Sequence, residues 1–185
     1  VITYKNQMSE IAKFNIDPAH SLVWFTIKHL AIAKVKGEFT SVGGSLSVNP
    51  DDPSTLKIDA TIVANTFHTN DDKRDAHVKS ADFLDVEKYP EITFVSDGST
   101  RINADHYMVT GKLSLHGVTK EISIDCHDRS DEITDQVGNR RFAIVGNTKI
   151  NRNDFGVKFN APLGTGGLML GEELDIQLDL QFVRA

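Results

Sequence analysis

The sequence predicts an all-β fold, an antiparallel meander built as a sandwich or a barrel, on three observations. Apolar residues recur at every second position in several separate runs. Turn-forming residues divide those runs. Only one stretch leaves the two-residue rhythm, and it reads as a short helix.

Taken in chain order, Val23, Phe25 and Ile27 share one face of the first long strand. Leu56, Ile58, Ala60, Ile62 and Ala64 alternate with Lys57, Asp59, Thr61 and Val63 in the next. The segment Thr69 to Lys79 is the helical one. Thr69 is placed to cap it, Asp71 and Asp72 suit the positive end of its dipole, and Lys79 suits the negative end and pairs with Asp75 four residues earlier. Tyr89-Pro90 then forces an extended backbone. The strand from Ile92 to Ile102 is interrupted at Asp97-Gly98, read as a bulge rather than a hairpin tip.

Asn103-Ala104-Asp105 turns that strand into Tyr107, Val109, Gly111, Leu113 and Leu115. His116-Gly117 makes a two-residue hairpin, since glycine accepts positive φ freely and histidine tolerates it. Ile122, Ile124 and Cys126 lie opposite Glu121, Ser123, Asp125 and His127, and a further strand carries Phe142, Ile144, Gly146, Thr148 and Ile150. The clearest run is the last. Leu174, Ile176, Leu178, Leu180 and Phe182 form a dry face against Glu173, Asp175, Gln177, Asp179 and Gln181. No repeat, linker or low-complexity tract divides the chain. Residues 1–10 read as an N-terminal extension, loosely ordered, and 11–185 as one domain.

Composition narrows the function. A chain of 185 residues, 39% hydrophobic and 25% charged, suits one globular domain and excludes a disordered tail. Its net charge of −6 is spread along the sequence, which argues against nucleic acid and against docking on anionic lipid through a basic patch. No apolar run approaches a membrane span, so stable membrane insertion is not expected. Cys126 is the only cysteine, so no intrachain disulfide can form. Val1-Ile2-Thr3-Tyr4-Lys5 lacks the pattern of a signal peptide. The expected compartment is the cytoplasm, or the periplasm or exterior if a signal has been removed.

Motifs that suggest chemistry have plainer readings. Gly164-Thr165-Gly166-Gly167 lacks the lysine and the following helix of a phosphate loop. His68 with His77, and His116 with His127, lack Cys or carboxylate partners at ligand spacing, so no metal is expected. Ser21 beside His20 is not a triad, because adjacent strand residues face opposite ways. Cys126 falls on an apolar face and reads as a small hydrophobe.

An ordered set of motifs nevertheless resembles the YceI-like family. It opens with Asp17-Pro18-Ala19-His20-Ser21 and Val23-Trp24-Phe25-Thr26-Ile27-Lys28-His29-Leu30, then Val35-Lys36-Gly37-Glu38-Phe39. Arg74-Asp75-Ala76-His77-Val78-Lys79-Ser80-Ala81-Asp82-Phe83 and Tyr89-Pro90-Glu91-Ile92-Thr93-Phe94 follow. Gly111-Lys112-Leu113-Ser114-Leu115-His116-Gly117-Val118-Thr119, Asn151-Arg152-Asn153-Asp154-Phe155-Gly156 and the closing strand complete it. The resemblance implies an extended, eight-stranded, antiparallel lipocalin-like barrel with one short helical excursion. It also implies binding of a polyisoprenoid.

A barrel of that size is filled by side chains or holds one slender ligand. Strands of about eleven residues tilted by about 40° enclose a lumen roughly 28 Å deep, a shape that fits a chain better than a compact metabolite. Alternation by itself favours a filled core; the resemblance implies an open tube. On that reading Phe25, Ile27, His29, Ile32 and Phe39 contact the ligand from the first strands, and Ile58, Ile62, Phe67 and Phe83 from the next stretch. Phe94, Leu113, Ile124, Ile176 and Leu178 complete the wall. Arg74, Asp75 and Arg152 either meet a head group or hold the fold together, as an Arg–carboxylate clamp does.

The expected activity is non-catalytic binding or transport of a polyprenyl chain, an isoprenoid quinone or a polyprenyl phosphate, with no cofactor beyond that ligand and with a homodimer in view. Two alternatives stand beside it. One is an enzyme acting on a lipophilic substrate with His29 as acid or base. The other is a stress-response protein that uses the barrel as scaffold.

Overall fold

Each alternating run pairs with its neighbours along its backbone, and the dry faces all turn the same way. The computed structural model describes residues 10–185, so the expected N-terminal extension lies, apart from Glu10, outside the described residues. In chain order the elements are β1 (Ala12–Ile16), β2 (Leu22–His29), β3 (Ala33–Phe39), β4 (Val42–Asn49), β5 (Asp52–Val63) and β6 (Phe67–His68). They continue with α1 (Asp72–Lys79), β7 (Glu91–Arg101), β8 (Tyr107–Leu115), β9 (Val118–His127), β10 (Ile133–Thr134), β11 (Arg140–Asn151) and β12 (Leu170–Arg184).

These segments make a closed barrel of eight antiparallel strands. β1 and β2 are one kinked strand, since both pair with β12 on one side, while β1 pairs with β4 and β2 with β3 on the other. Ser21 bridges the kink: its hydroxyl accepts from the Gln181 N–H at 3.0 Å, and the Asp17 N–H donates to the Gln181 carbonyl at 2.8 Å. β3 and β4 form the second long strand. β5, β7, β8, β9, β11 and β12 follow as a meander. An unbroken ladder from Arg141↔Val183 to Asn151↔Glu173 joins β11 to β12, and β12 returns to β1.

Local chemistry explains the turns. His116 and Gly117 both have positive φ, 52° and 74°, as their two-residue hairpin requires. The β7–β8 register shifts between Ser96 and Gly98, so the interruption at Asp97 is the expected bulge. The helix starts later than expected. Asn70 turns the chain at φ 61°, which leaves Thr69 outside, and Asp71 becomes the cap, accepting from the Arg74 N–H at 2.9 Å. The expected Asp75–Lys79 pair gives way as well, because Asp75 is buried and turns towards Thr69 and His68.

Candidate binding cavity

The dry faces do not meet in the middle. They enclose a cavity of about 870 Å³ whose lining reaches both ends of the barrel. At one end lie the β2–β3 hairpin, α1 and the β11–β12 connection, with His29, Arg74, His77 and Met169 on the lining. At the other lie the β4–β5, β7–β8 and β9–β11 connections, with Pro50, Arg101, Arg129, Glu132 and Arg184. Between them the wall is almost wholly aliphatic and aromatic.

Two aromatic groups shape the tube. Phe25, Phe39 and Phe67 gather near α1, with ring centroids 5.7–6.2 Å apart. Phe14, Phe142 and Phe182 gather towards the far end, with neighbouring centroids 5.0 Å apart. Small residues make room for rings. Gly111 lies beneath Phe94, whose Cζ would be 2.6 Å from a β-carbon at that position.

Of the residues expected to touch a ligand, Phe25, Ile27, His29 and Phe39 line the cavity from β2 and β3. Ile58, Ile62, Phe67 and Phe83 line it from β5 to the segment after α1, and Phe94, Leu113, Ile124, Ile176 and Leu178 from β7 to β12. Ile32 does not. It stands 86% exposed in the β2–β3 turn, where Leu30 and Ala31 adopt φ of 54° and 59° and carry the chain away from the lumen.

Arg74 and Asp75 are joined through Thr69. The Arg74 Nε–H donates to Thr69 Oγ1 at 2.7 Å and its Nη2 to the Thr69 carbonyl at 2.9 Å, while the Thr69 hydroxyl donates to Asp75 Oδ1 at 2.5 Å. His68 Nδ1 lies 3.0 Å from Asp75 Oδ2. Burial pushes the Asp75 carboxyl's pKa up, but the Thr69 hydroxyl and N–H and the His68 ring together hold it below the ordinary carboxylate value. The set ties α1 to β6. Arg74 also reaches the cavity lining, whereas Asp75 does not.

Arg152 is buried at 3% exposure. Its Nε–H donates to the Gly171 carbonyl at 2.9 Å, and its Nη1 to the Val157 and Phe159 carbonyls at 2.8 and 2.9 Å. It ties together the connection between β11 and β12. Burial lowers its pKa, with Glu172 acting the other way. Cys126 lines the lumen, and burial pushes its thiol up to about 12. No three His, Cys, Asp or Glu side chains gather as a metal site among the described residues.

Sequence reading puts Phe142 and Phe182 on alternating strand faces but names neither of them, nor Phe14, among the ligand contacts, and it misses the three arginines at the end away from α1. Arg184 was within reach, because it is the next in-phase position after Phe182. Arg101 was not, because the bulge at Asp97 changes the phase of β7 before it.

Comparison with known proteins agrees with this architecture. A model of the YceI-like domain matches residues 14–182. A UPF0312 protein of Staphylococcus aureus (strain MSSA476) is 33% identical over 172 residues, covering 93% of this chain and 98% of that protein. The crystal structure of BcnA from Burkholderia cenocepacia superposes with a TM-score of 0.78 at 22% identity, over 90% of this chain and 98% of that one. The structure described as a polyisoprenoid binding domain from Saccharophagus degradans, implicated in plant cell wall breakdown, gives a TM-score of 0.67 at 14% identity, over 95% of this chain and 100% of that one. No helix among the described residues is long and apolar enough to cross a membrane.

Proposed function

The chain belongs to the YceI-like domain family, and on that premise we propose that its barrel binds a long-chain isoprenoid lipid, carrying it without chemical change. One observation supports this above the others. The inner faces that could have packed into a solid core leave an apolar cavity reaching both ends of the barrel. An eight-stranded barrel is either filled by its own side chains or has room for one slender ligand, and a void of this size departs from the close packing of a filled core.

The energetics favour a carrier. Burial from water is worth about 0.8 kcal/mol per CH₂. A tail of about 40 carbons would nominally gain about 30 kcal/mol, beyond the practical affinity ceiling of about 18 to 21 kcal/mol. The relevant exchange is therefore with a membrane, where transfer is nearly neutral. A lumen as apolar as bilayer hydrocarbon makes loading and unloading both accessible.

Organic extraction of the purified protein followed by mass spectrometry tests the proposal. A prenyl chain recovered in near-stoichiometric amount is the expected result. Protein that carries no lipid, and takes up no polyprenol from vesicles, would defeat it.

A further inference from the structure

The two ends of the cavity differ in what their cations do. Near α1, the Arg74 guanidinium donates to Thr69 and lies 4.0 Å from Asp71. Arg152 gives its Nε–H and Nη1 to three backbone carbonyls, while its Nη2 has no hydrogen-bond partner among the described residues. Lys73 is the third cation on that lining. At the far end three guanidiniums, those of Arg101, Arg129 and Arg184, line the cavity against the single carboxylate of Glu132. Arg184 shares Glu132 with Arg140, at 3.5 and 2.9 Å. Arg101 and Arg129 donate only to the carbonyls of Asn103 and Ser130, and neither joins an ion pair among the described residues.

Strand register places two of these side chains on the inner face. Arg184 is the cross-strand partner of buried Phe14 and sits over its ring, 5.9 Å from the centroid. Arg101 is the partner of Tyr107, which in turn partners buried Cys126. Arg101 has this orientation only because the Asp97 bulge inserts one residue between it and inward-facing Ser96. Arg129 stands over the Phe142 ring at 4.8 Å, and that ring meets Phe14 edge-on at 5.0 Å. The cations therefore crown an aromatic floor.

A rim arginine needs no ligand to be stable, since its stem can lie on apolar surface with its head in water. Convergence is what requires explanation. In a chain of net charge −6, three inward or mouth-facing guanidiniums gather at one end of an apolar tube, and those of Arg101 and Arg129 have no carboxylate partner among the described residues. The guanidinium fork matches the oxygens of phosphate and carboxylate.

We propose that the cavity takes an anionic amphiphile head-outward at this end. Arg101, Arg129 and Arg184 hold its oxyanion, and its tail runs inward past Phe142 towards α1. The assignment rests on the isoprenoid reading above and adds the charge of the head group and the direction of threading. It places the head at the opposite end from the sequence-predicted Arg74 and Arg152.

Native mass spectrometry with displacement of Nile red tests it on the whole chain, using geranylgeranyl phosphate against geranylgeraniol and palmitate against hexadecanol. The phosphate should bind at least about tenfold more tightly than the alcohol, with the difference shrinking as salt is added. Replacing Arg101, Arg129 and Arg184 together by Gln should remove that preference and leave alcohol binding unchanged. If the triple variant does not fold, Arg101→Gln with Arg129→Gln serves, since neither residue joins an ion pair among the described residues. Equal affinity for phosphate and alcohol in the wild type overturns the proposal, as does a variant that loses both ligands alike. Arginine-dependent preference for palmitate with no uptake of either prenyl compound would keep the oxyanion site and remove the isoprenoid reading. Uptake of none of the four would remove both.

Discussion

The ring of Phe25 occupies the space that a side chain at Gly37 would need. The two are cross-strand partners on β2 and β3, and Phe25 Cζ lies 2.6 Å from an ideal β-carbon on Gly37. Glycine lets the ring lie against the wall and keeps the lumen open. Gly37→Ala should displace the far end of the ring, a flexible group, into the cavity. The expected result is a modest stability loss of about 1 kcal/mol with a clear fall in lipid retained per protein. Thermal melts and extracted lipid, measured on the same preparation, check it. A large drop in melting temperature with undiminished lipid would mean that the ring cannot move inward.

Plugging the tube separates lumen from core. Ile58 and Leu178 both line the cavity. Trp at either position in a filled core would cost about 1–3 kcal/mol through overpacking. Facing a void, Ile58→Trp or Leu178→Trp should change denaturant midpoints little while abolishing lipid recovery.

Asp75 should make the barrel acid-sensitive. Its folded pKa lies below the ordinary value of 3.8, so its stabilisation is present in full above that value and is lost as the pH falls through the lowered one. Asp75→Asn should destabilise the protein by about 1–3 kcal/mol at neutral pH, since Thr69 and His68 lose an ionised partner. The gap to wild type should narrow below about pH 4, where the wild-type carboxyl protonates as well. Urea titrations across that range read it directly.

The Cys126 thiol should be nearly inert. Burial first, and the nearby Asp125 charge second, push its pKa from 9.0 to about 12. Iodoacetamide should label the native protein far more slowly than the unfolded chain, with no acceleration between pH 8 and pH 10 of the kind that free thiols show near about 8.5. The linkage has the opposite sign to that of Asp75. The contribution of the neutral buried thiol is present in full below the unfolded thiol's pKa and declines as the pH rises towards 12.

His29 distinguishes carriage from catalysis, because it is the histidine that ends β2 on the cavity lining. His29→Gln keeps hydrogen-bonding capacity and removes a titratable ring. Lipid should be recovered in unchanged amount and unchanged form. Wild-type protein that modifies its lipid on incubation, with the modification lost in the variant, would replace the binding reading with an enzymatic one.

Much of the fold was legible because a barrel wall has one wet and one dry face, and β12 states that pattern from Leu174 to Phe182 without a break. What alternation reports is dryness, and a dry face is the same in a solid core and in a tube. The void was therefore not legible from the residues. Local ambiguities account for the other misses. Thr69 and Asp71 are both competent caps, and only the left-handed turn at Asn70 decides between them. Leu30 and Ala31 look like continuing wall but turn the chain with positive φ, which strands Ile32 outside. A single inserted residue at Asp97 hid Arg101.

Closure through β12 also sets the order in which the molecule can be built. Phe14 and Arg184 are paired neighbours in space, yet almost the whole chain separates them. Joining ends about 170 residues apart carries a loop-closure penalty of about 4–5 kcal/mol by the logarithmic rule. β12 seals three partners at once, β1, β2 and β11. During synthesis the other seven staves must wait with their oily faces uncovered until that last one emerges. Folding dominated by such distant pairings runs in milliseconds to seconds rather than microseconds, and the unsealed cask is the species most exposed to aggregation.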